Sequence, residues 1–442
     1  MKQSDATGNK ALGLPELIAI ALGGMVGGGI FSILGISVEK VGHATPLAIL
    51  CGGVLAFFAA YSYVTLAALY KDEGATYSFF KKTFPRSKKA AAVIGWLIVF
   101  GYISTLALYA FTFASYFCSQ FKEFDSVFAR RLTASIVIAI FTIINYVSVK
   151  GMGKIEDFLV YTKLILLILI SVLFARIGDF SASLPLIEPG TGFTDILMVA
   201  AITFVAYEGF QLVIHAYREM KNPGRNIPLS IYLSIGIAVL LYIFLAMAAM
   251  AVIPKQQLIT GQEYALASGA KDHLGSAGSL IVILGALLAT SSAISGTIFG
   301  ASRLTAVIAE DGYLPEFLGK RRKVHIPGNA IILLSSAAFL LIASGGLKVI
   351  LEFGSITFIT VSFLMALSNY KVRKQTNSGV IVTLFAMISL LGAGLLIIYF
   401  EIQENLIQIA YILLIYFLLV TCALIYSGNA IRKIKKSDFT GK

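Results

Sequence analysis

The chain has 442 residues, 58% of them hydrophobic and only 13% charged, with a mean hydropathy of +0.86 and a formal net charge of +12. Soluble domains carry about 25% charged residues, so this composition excludes a water-soluble fold and indicates an integral membrane protein. The basic balance identifies no partner until the positions of the charges are known.

The opening stretch MKQSDATGNKALGLPEL is polar and has no A-x-A-like site, so no cleavable signal peptide is expected. Twelve apolar runs long enough to cross a bilayer are predicted near 15–37, 46–69, 90–118, 131–149, 156–177, 193–216, 229–252, 274–308, 326–343, 346–367, 380–400 and 405–427. Lysine and arginine in the connections set the orientation. With the N-terminus in the cytoplasm, inner segments hold 25 of these residues and outer segments 8. That asymmetry puts both termini in the cytoplasm and accounts for the positive charge without a nucleic acid. The expected organisation is a cytoplasmic tail over 1–14, five spans over 15–177 and five over 193–367. Two further spans over 380–427 and a basic cytoplasmic tail over 428–442 complete it.

The first span holds GGMVGGGIF, with Gly23, Gly24, Gly27, Gly28 and Gly29 where a helix would otherwise run unbroken. Each glycine inside a helix costs roughly 1 kcal/mol relative to alanine. In hydrocarbon, freed backbone groups are tolerated only around a protein-enclosed cavity. One reading is a helix that breaks, with bare N–H groups facing a pocket and favouring an anion. The other is close helix packing through the small-residue pairs Gly23/Gly27 and Gly24/Gly28.

Lys163 lies inside the fifth span, FLVYTKLILLILISVLF. A cation at mid-span costs about 2.5–3.5 kcal/mol or more and usually faces a bundle interior or a wet path. Snorkelling to the cytoplasm is the alternative. The sixth span, FTDILMVAAITFVAYEGFQLVIHAY, is interrupted by Tyr207, Glu208 and Gly209. The first and sixth spans therefore each head a group of five and each carry a central interruption. Matching interruptions in two halves are the sequence sign of an inverted-repeat transporter with its substrate between the breaks. Arg303, near the inner end of the eighth span, has a stem long enough to snorkel.

Cys51, Cys118 and Cys422 stand singly in apolar spans, and His43, His215, His273 and His325 are scattered. No disulfide framework or metal site is expected from that spacing. A membrane-embedded enzyme would need a nucleophile–base pair or a metal cluster, and neither HExxH nor G-x-S-x-G occurs. A channel would need a filter of carbonyl or charge rings, and no filter motif is present. The chain is expected to be a carrier and not an enzyme.

Several motifs together resemble the amino acid–polyamine–organocation superfamily. Gly27–Gly35, GGGIFSILG, is similar to its glycine-rich break, and Glu73-Gly74-Ala75-Thr76-Tyr77 to an element after its second helix. Glu219-Met220-Lys221-Asn222-Pro223-Gly224-Arg225-Asn226-Ile227-Pro228 matches its E-x-K-N-P-x-R-x-I-P loop, and Arg303 with Ala309–Pro315 its A-x-D-G-x-L-P segment. The resemblance covers residues 15 to about 345. It implies an all-α integral membrane protein of twelve transmembrane helices, a LeuT-type five-plus-five inverted repeat with helices 1 and 6 broken.

Within the superfamily, Ile30–Gly35, Ala60-Tyr61-Ser62-Tyr63 and Val160–Leu166 resemble an archaeal, proton-coupled subgroup of broad specificity. In that subgroup a fifth-helix lysine stands where sodium binds in sodium-coupled relatives. The resemblance aligns Lys163 with that lysine and Ser291 and Ser292 with a serine pair beside it. Lys163 is then the expected proton-coupling residue, since a buried amine gives up its proton more readily than one in water. The activity implied is secondary active import of amino acids across the plasma membrane by proton symport, driven by the proton motive force and without a cofactor. An exchanger of two amino acids, or a carrier of polyamines or other organic cations, is the nearest alternative.

The expected substrate-binding residues are Val26, Gly27, Gly28, Gly29 and Ile30 at the first break and Phe204, Val205, Tyr207 and Glu208 at the second. Glycine amides would hold the carboxylate, and carbonyls of the sixth span the amino group. Phe204 and Tyr207 are either gates over the pocket or simple packing. Glu208 departs from the family pattern: it pairs with a cationic side chain, stays protonated as a donor or proton carrier, or simply points to water or to a neighbouring helix. Arg218, Glu219, Lys221 and Arg225 form inner-gate ion pairs, with Arg303 nearby, or are solvated loop charges.

Overall fold

The computed structural model describes residues 12–121, 126–147, 149–217, 219–261, 264–321, 326–344, 347–404 and 406–440. The described residues are helical apart from turns and one isolated bridge, Leu12 with Met220. Ten stretches of helix are long and apolar enough to cross a bilayer, and two shorter apolar helices, Leu14–Met25 and Gly328–Ala343, accompany them.

Helix α1 (Leu14–Met25) starts on Pro15 in its first turn, while the Glu16 carboxylate accepts the Gly13 amide at 2.8 Å. Proline and a reciprocal acid at this point are strong start signals. After Val26 and Gly27 the chain resumes as α2 (Gly28–Val41), turns at Gly42–Ala44 and runs back as α3 (Thr45–Tyr70). Lys71 ends α3 in the left-handed region at φ 50°. Asp72 follows, accepting the Gly74 amide at 2.7 Å and pairing with Lys82 on the short helix α4 (Ala75–Thr83). Burial alone would raise the Asp72 carboxyl, but these partners hold it below its ordinary value.

Helices α5 (Lys88–Cys118), α6 (Val127–Val147) and α7 (Val149–Ile177) follow. The chain continues with α8 (Phe193–Thr203), a tight turn at Phe204–Tyr207 and the one-turn α9 (Leu212–His215). Next come α10 (Pro223–Met250), the short α11 (Lys255–Gly261) and α12 (Ala265–Glu310). At 46 residues α12 is far longer than a bilayer is thick. It is two helices in one, bent at Gly275 (φ 73°), which turns its first ten residues away from the span predicted to begin near 274. Helices α13 (Gly328–Ser344), α14 (Leu347–Lys371), α15 (Arg373–Thr376), α16 (Val380–Glu404) and α17 (Leu406–Thr440) finish the chain. Helix α17 runs on to Thr440, so no helix end marks the tail expected from 428.

Burial sorts these helices into a core and a shell. The apolar window of α5 is 83% buried and that of Phe193–His215 is 94% buried, against 22% for α6 and for α17. The shell helices carry the exposed large apolar residues, among them Ile140, Ile388 and Phe417. Hydrocarbon does not penalise that exposure. At one end of the bundle, Glu188 accepts from Lys255 at 3.0 Å and from the His43 amide at 3.0 Å, tying the 178–192 connection to the turn before α3. The Lys255 ammonium, against a smaller opposing effect of burial, holds the Glu188 carboxyl below its ordinary value.

Candidate functional site

The two interruptions meet in the middle of the core. Helix α1 remains helical through Gly23 and Gly24, and only Val26 and Gly27 leave the helical path before α2 begins. The last carbonyls of a helix have no partner within it. Here each of them finds one. Leu22 O keeps the Val26 amide at 2.9 Å; Gly23 O accepts Lys163 Nζ at 3.2 Å; Gly24 O accepts the Tyr109 hydroxyl at 2.9 Å. Met25 O takes the Gly27 amide at 2.9 Å and the Tyr242 hydroxyl at 2.8 Å, and Val26 O takes Lys163 Nζ at 2.7 Å.

Lys163 is 0% exposed, so its stem does not snorkel. Its ammonium lies 3.2 Å from Leu22 O, 3.2 Å from Gly23 O, 2.7 Å from Val26 O and 2.7 Å from Ser292 Oγ. A cation is favoured there, because the carbonyl end of α1 is the negative end of its dipole. Ser291, half-buried, is not among these hydrogen-bond partners. Successive residues on a helix point about 100° apart, and only Ser292 faces the lysine.

On the other side of the break, Gly28, Gly29 and Ile30 are the first residues of α2, whose amides a helix leaves unpaired. The Gly27 amide, expected to face an anion with them, is instead turned back to Met25 O. The amide-bearing set is therefore shifted one residue along, to Gly28–Ile30. All of Val26–Ile30 is buried.

In the second interruption α8 stops at Thr203, four residues before the expected point. Phe204–Tyr207 forms a tight 3-10 turn, and Glu208 then adopts an extended conformation (φ −67°, ψ 135°). Phe204, Val205 and Tyr207 are buried, and the Tyr207 hydroxyl donates to Ile49 O at 2.8 Å, fixing that ring to α3. Glu208 is 2% exposed; its Oε2 accepts from Gln211 Nε2 at 2.6 Å and its Oε1 has no hydrogen-bond partner. Glu208 therefore does not point to water, and the reading of an acid turned toward a neighbouring helix stays open. Tyr63, Tyr102 and Tyr109 all lie within electrostatic reach of it.

The breaks touch through glycine. A Cβ on Gly209 would lie 2.5 Å from the carbonyl carbon of Gly24 and 2.6 Å from the amide nitrogen of Met25. Gly209 also has φ +130°, a conformation that side chains other than hydrogen rarely allow. The glycine-rich stretch thus serves both readings made from sequence: Gly24 is a packing contact, and Gly27 marks the break. A cavity of about 320 Å³ lies elsewhere, between α3, α8 and α16, lined by residues such as Cys51, Leu197 and Phe385.

Among the described residues, the expected inner-gate charges Glu219, Lys221 and Arg225 make no ion pair with one another, which fits the alternative of solvated loop charges. Arg225 is exposed and makes no ion pair among the described contacts, and Arg218 lies outside the described residues. Arg303 donates to Phe299 O at 3.2 Å, lies over the Phe299 ring at 3.3 Å and feels the charges of Glu219 and Glu73. The loop is tied by backbone instead: the Leu12 amide donates to Glu219 O at 3.2 Å and the Lys221 amide to Leu12 O at 2.8 Å. Sequence reasoning also passed over Tyr109, Tyr242 and Gln211. Tyr102 and Tyr109 stand seven residues apart, hence on one face of α5, and that spacing was the available signal.

The family model for amino acid permeases matches residues 12–426. An uncharacterized protein of Methanocaldococcus jannaschii is 31% identical over 398 residues, covering 89% of this chain and 90% of the relative. The inner membrane transport protein YbaT of Escherichia coli is 31% identical over 324 residues, 72% of this chain and 74% of the relative. The branched-chain amino acid permease BcaP of Bacillus subtilis is 22% identical over 339 residues, 72% of this chain and 70% of the relative.

Proposed function

This chain belongs to the amino acid permease family and is a transporter, not an enzyme; on that premise we propose that it imports amino acids together with protons across the plasma membrane by alternating access. Twelve spans form a five-plus-five inverted repeat around the two breaks, and both termini are cytoplasmic, a topology supported by the lysine and arginine count. The substrate carboxylate sits on the amides of Gly28, Gly29 and Ile30, at the positive end of the α2 dipole. Its ammonium meets carbonyls of the second break between Phe204 and Tyr207.

One observation carries the proton coupling: the Lys163 ammonium draws together Leu22 O, Gly23 O, Val26 O and Ser292 Oγ. Three N–H groups and one positive charge bind α1, α7 and α12 at a single point. Loss of a proton removes the charge and one of the three donors, so the grip on the α1 carbonyls weakens. Helix α1 is then free to tilt, and the site changes the side to which it opens. The test is pH-gradient-driven uptake of amino acids by Lys163→Ala in liposomes. Loss of the gradient dependence is expected; undiminished dependence overturns the role.

Glu208 supports a finer reading of the substrate. Its Oε1 is buried and without a hydrogen-bond partner, which suits an amino acid with a cationic side chain. The same oxygen also suits a carboxyl that carries a proton. A competition series of neutral and cationic amino acids on wild type and Glu208→Gln separates the two. Loss of the cationic members from the ranking supports side-chain recognition, and an unchanged ranking removes Glu208 from it.

A further inference from the structure

We infer that the hydroxyl of Tyr242 is a placeholder for the substrate's ammonium group, joining the two breaks while the site is empty and giving up its carbonyl partners when an amino acid arrives. The inference rests on the amino acid reading above and adds to it a residue on α10, a helix that is itself unbroken.

Tyr242 is 1% exposed, and its hydroxyl lies 2.8 Å from Met25 O and 3.1 Å from Ala206 O. One of those carbonyls belongs to the first break and the other to the second. Tyr109 reaches only the first break, at Gly24 O, and Tyr207 leads away from the second to Ile49 O on α3. Among the described hydrogen bonds, Tyr242 alone supplies one hydroxyl to both breaks. A phenol has a single proton, so it cannot serve both acceptors fully at once. Met25 O has a second donor in the Gly27 amide at 2.9 Å. Ala206 O therefore depends on what Tyr242 can share.

An ammonium with three N–H groups satisfies both carbonyls together, and the displaced phenol oxygen can accept the third proton. Tyr242 would then change from donor to acceptor without moving its ring, which is held 5.5 Å from the ring of Tyr207. Binding would cost the clasp and replace it, which confines entry to molecules carrying a free α-ammonium. A ligand with that nitrogen acylated loses the charge and two of its donors and cannot make the exchange.

The test compares wild type and Tyr242→Phe in liposomes, measuring KM and Vmax for L-alanine, L-leucine and L-lysine, with the N-acetyl form of each as competitor. Removing the hydroxyl removes the internal competitor, so KM should fall several-fold for the free amino acids, with no gain for the N-acetyl forms. The melting temperature without substrate should drop, and the shift produced by substrate should widen. An unchanged or raised KM, or an equal gain for N-acetyl compounds, overturns the inference. Should Tyr242→Phe fail to fold, the ultraviolet difference spectrum of the wild type on adding substrate decides: a perturbed tyrosine supports the exchange, and none refutes it. No amino acid uptake by the wild type would end the amino acid reading and this inference with it. Normal wild-type uptake without the selective gain would end this inference alone.

Discussion

The first break spans two residues and is served from outside; the second spans Phe204 to Gln211 and largely serves itself. The freed carbonyls of Gly23–Val26 are met by side chains of α5, α7 and α10. In the second, the Glu208 amide donates to Val205 O at 3.1 Å, the Gly209 amide to Gln211 Oε1 at 3.1 Å and the Leu212 amide to Gly209 O at 3.0 Å. A break supported by distant side chains depends on their protonation and position. A break that bonds within itself keeps its shape and can present an unsatisfied group, here Glu208 Oε1. The contrast is between a first break whose carbonyls rely on donors carried by other helices and a second that is held mostly by its own bonds.

The harshest way to break this comparison is to separate the two segments. Gly209→Val places a branched side chain against the Gly24 and Met25 backbone at a φ that valine does not adopt. Little folded protein is expected by size-exclusion chromatography, and a wild-type elution profile and melting curve would show that the segments do not abut. Next in size is Lys163→Met, which keeps the bulk but leaves the α1 carbonyls short of donors. Each buried acceptor left unsatisfied costs about 1–3 kcal/mol. A clearly lowered melting temperature is expected, and an unaltered one would mean that the first break does not rely on the lysine.

Tyr109→Phe removes a single donor, that of Gly24 O, and should cost about 1 kcal/mol. A smaller drop in melting temperature than for Lys163→Met is the expected order; the reverse order would contradict the division of labour at the first break.

The smallest effect belongs to a region outside both breaks. Glu188 has its folded-state value lowered by Lys255, so its contribution to stability is present above the ordinary glutamate range near about 4.3 and is lost as the pH falls through the lowered value. Melting followed from neutral pH downward should stay level and then decline in acid. Glu188→Gln should remove part of that acid decline, and an identical acid limb would exclude the contribution.

Much of this could be read along the chain. Hydropathy indicated many membrane-crossing helices, and five glycines in seven positions marked a weak point in the first apolar run. Gly24 shows the limit of that reading, because its role depends on Gly209, 185 residues away, approaching its backbone. Ser291 and Ser292 are indistinguishable in composition, and only the rotation of α12 separates them. Tyr109 and Tyr242 looked like ordinary aromatic residues of apolar helices. The loop after the sixth span drew notice for its charges, read either as ion pairs or as solvated, whereas its described ties to Leu12 are backbone bonds, which any sequence supplies.

Local chemistry was enough to establish a multi-pass membrane protein with two faulted helices, since apolarity, charge and glycine content act on each segment where it stands. Folding had to choose which donor meets which freed carbonyl, and which of two neighbouring serines faces a lysine. A hydrogen bond forms only within about 3 Å, and no single helix contains the partners that others carry to that distance.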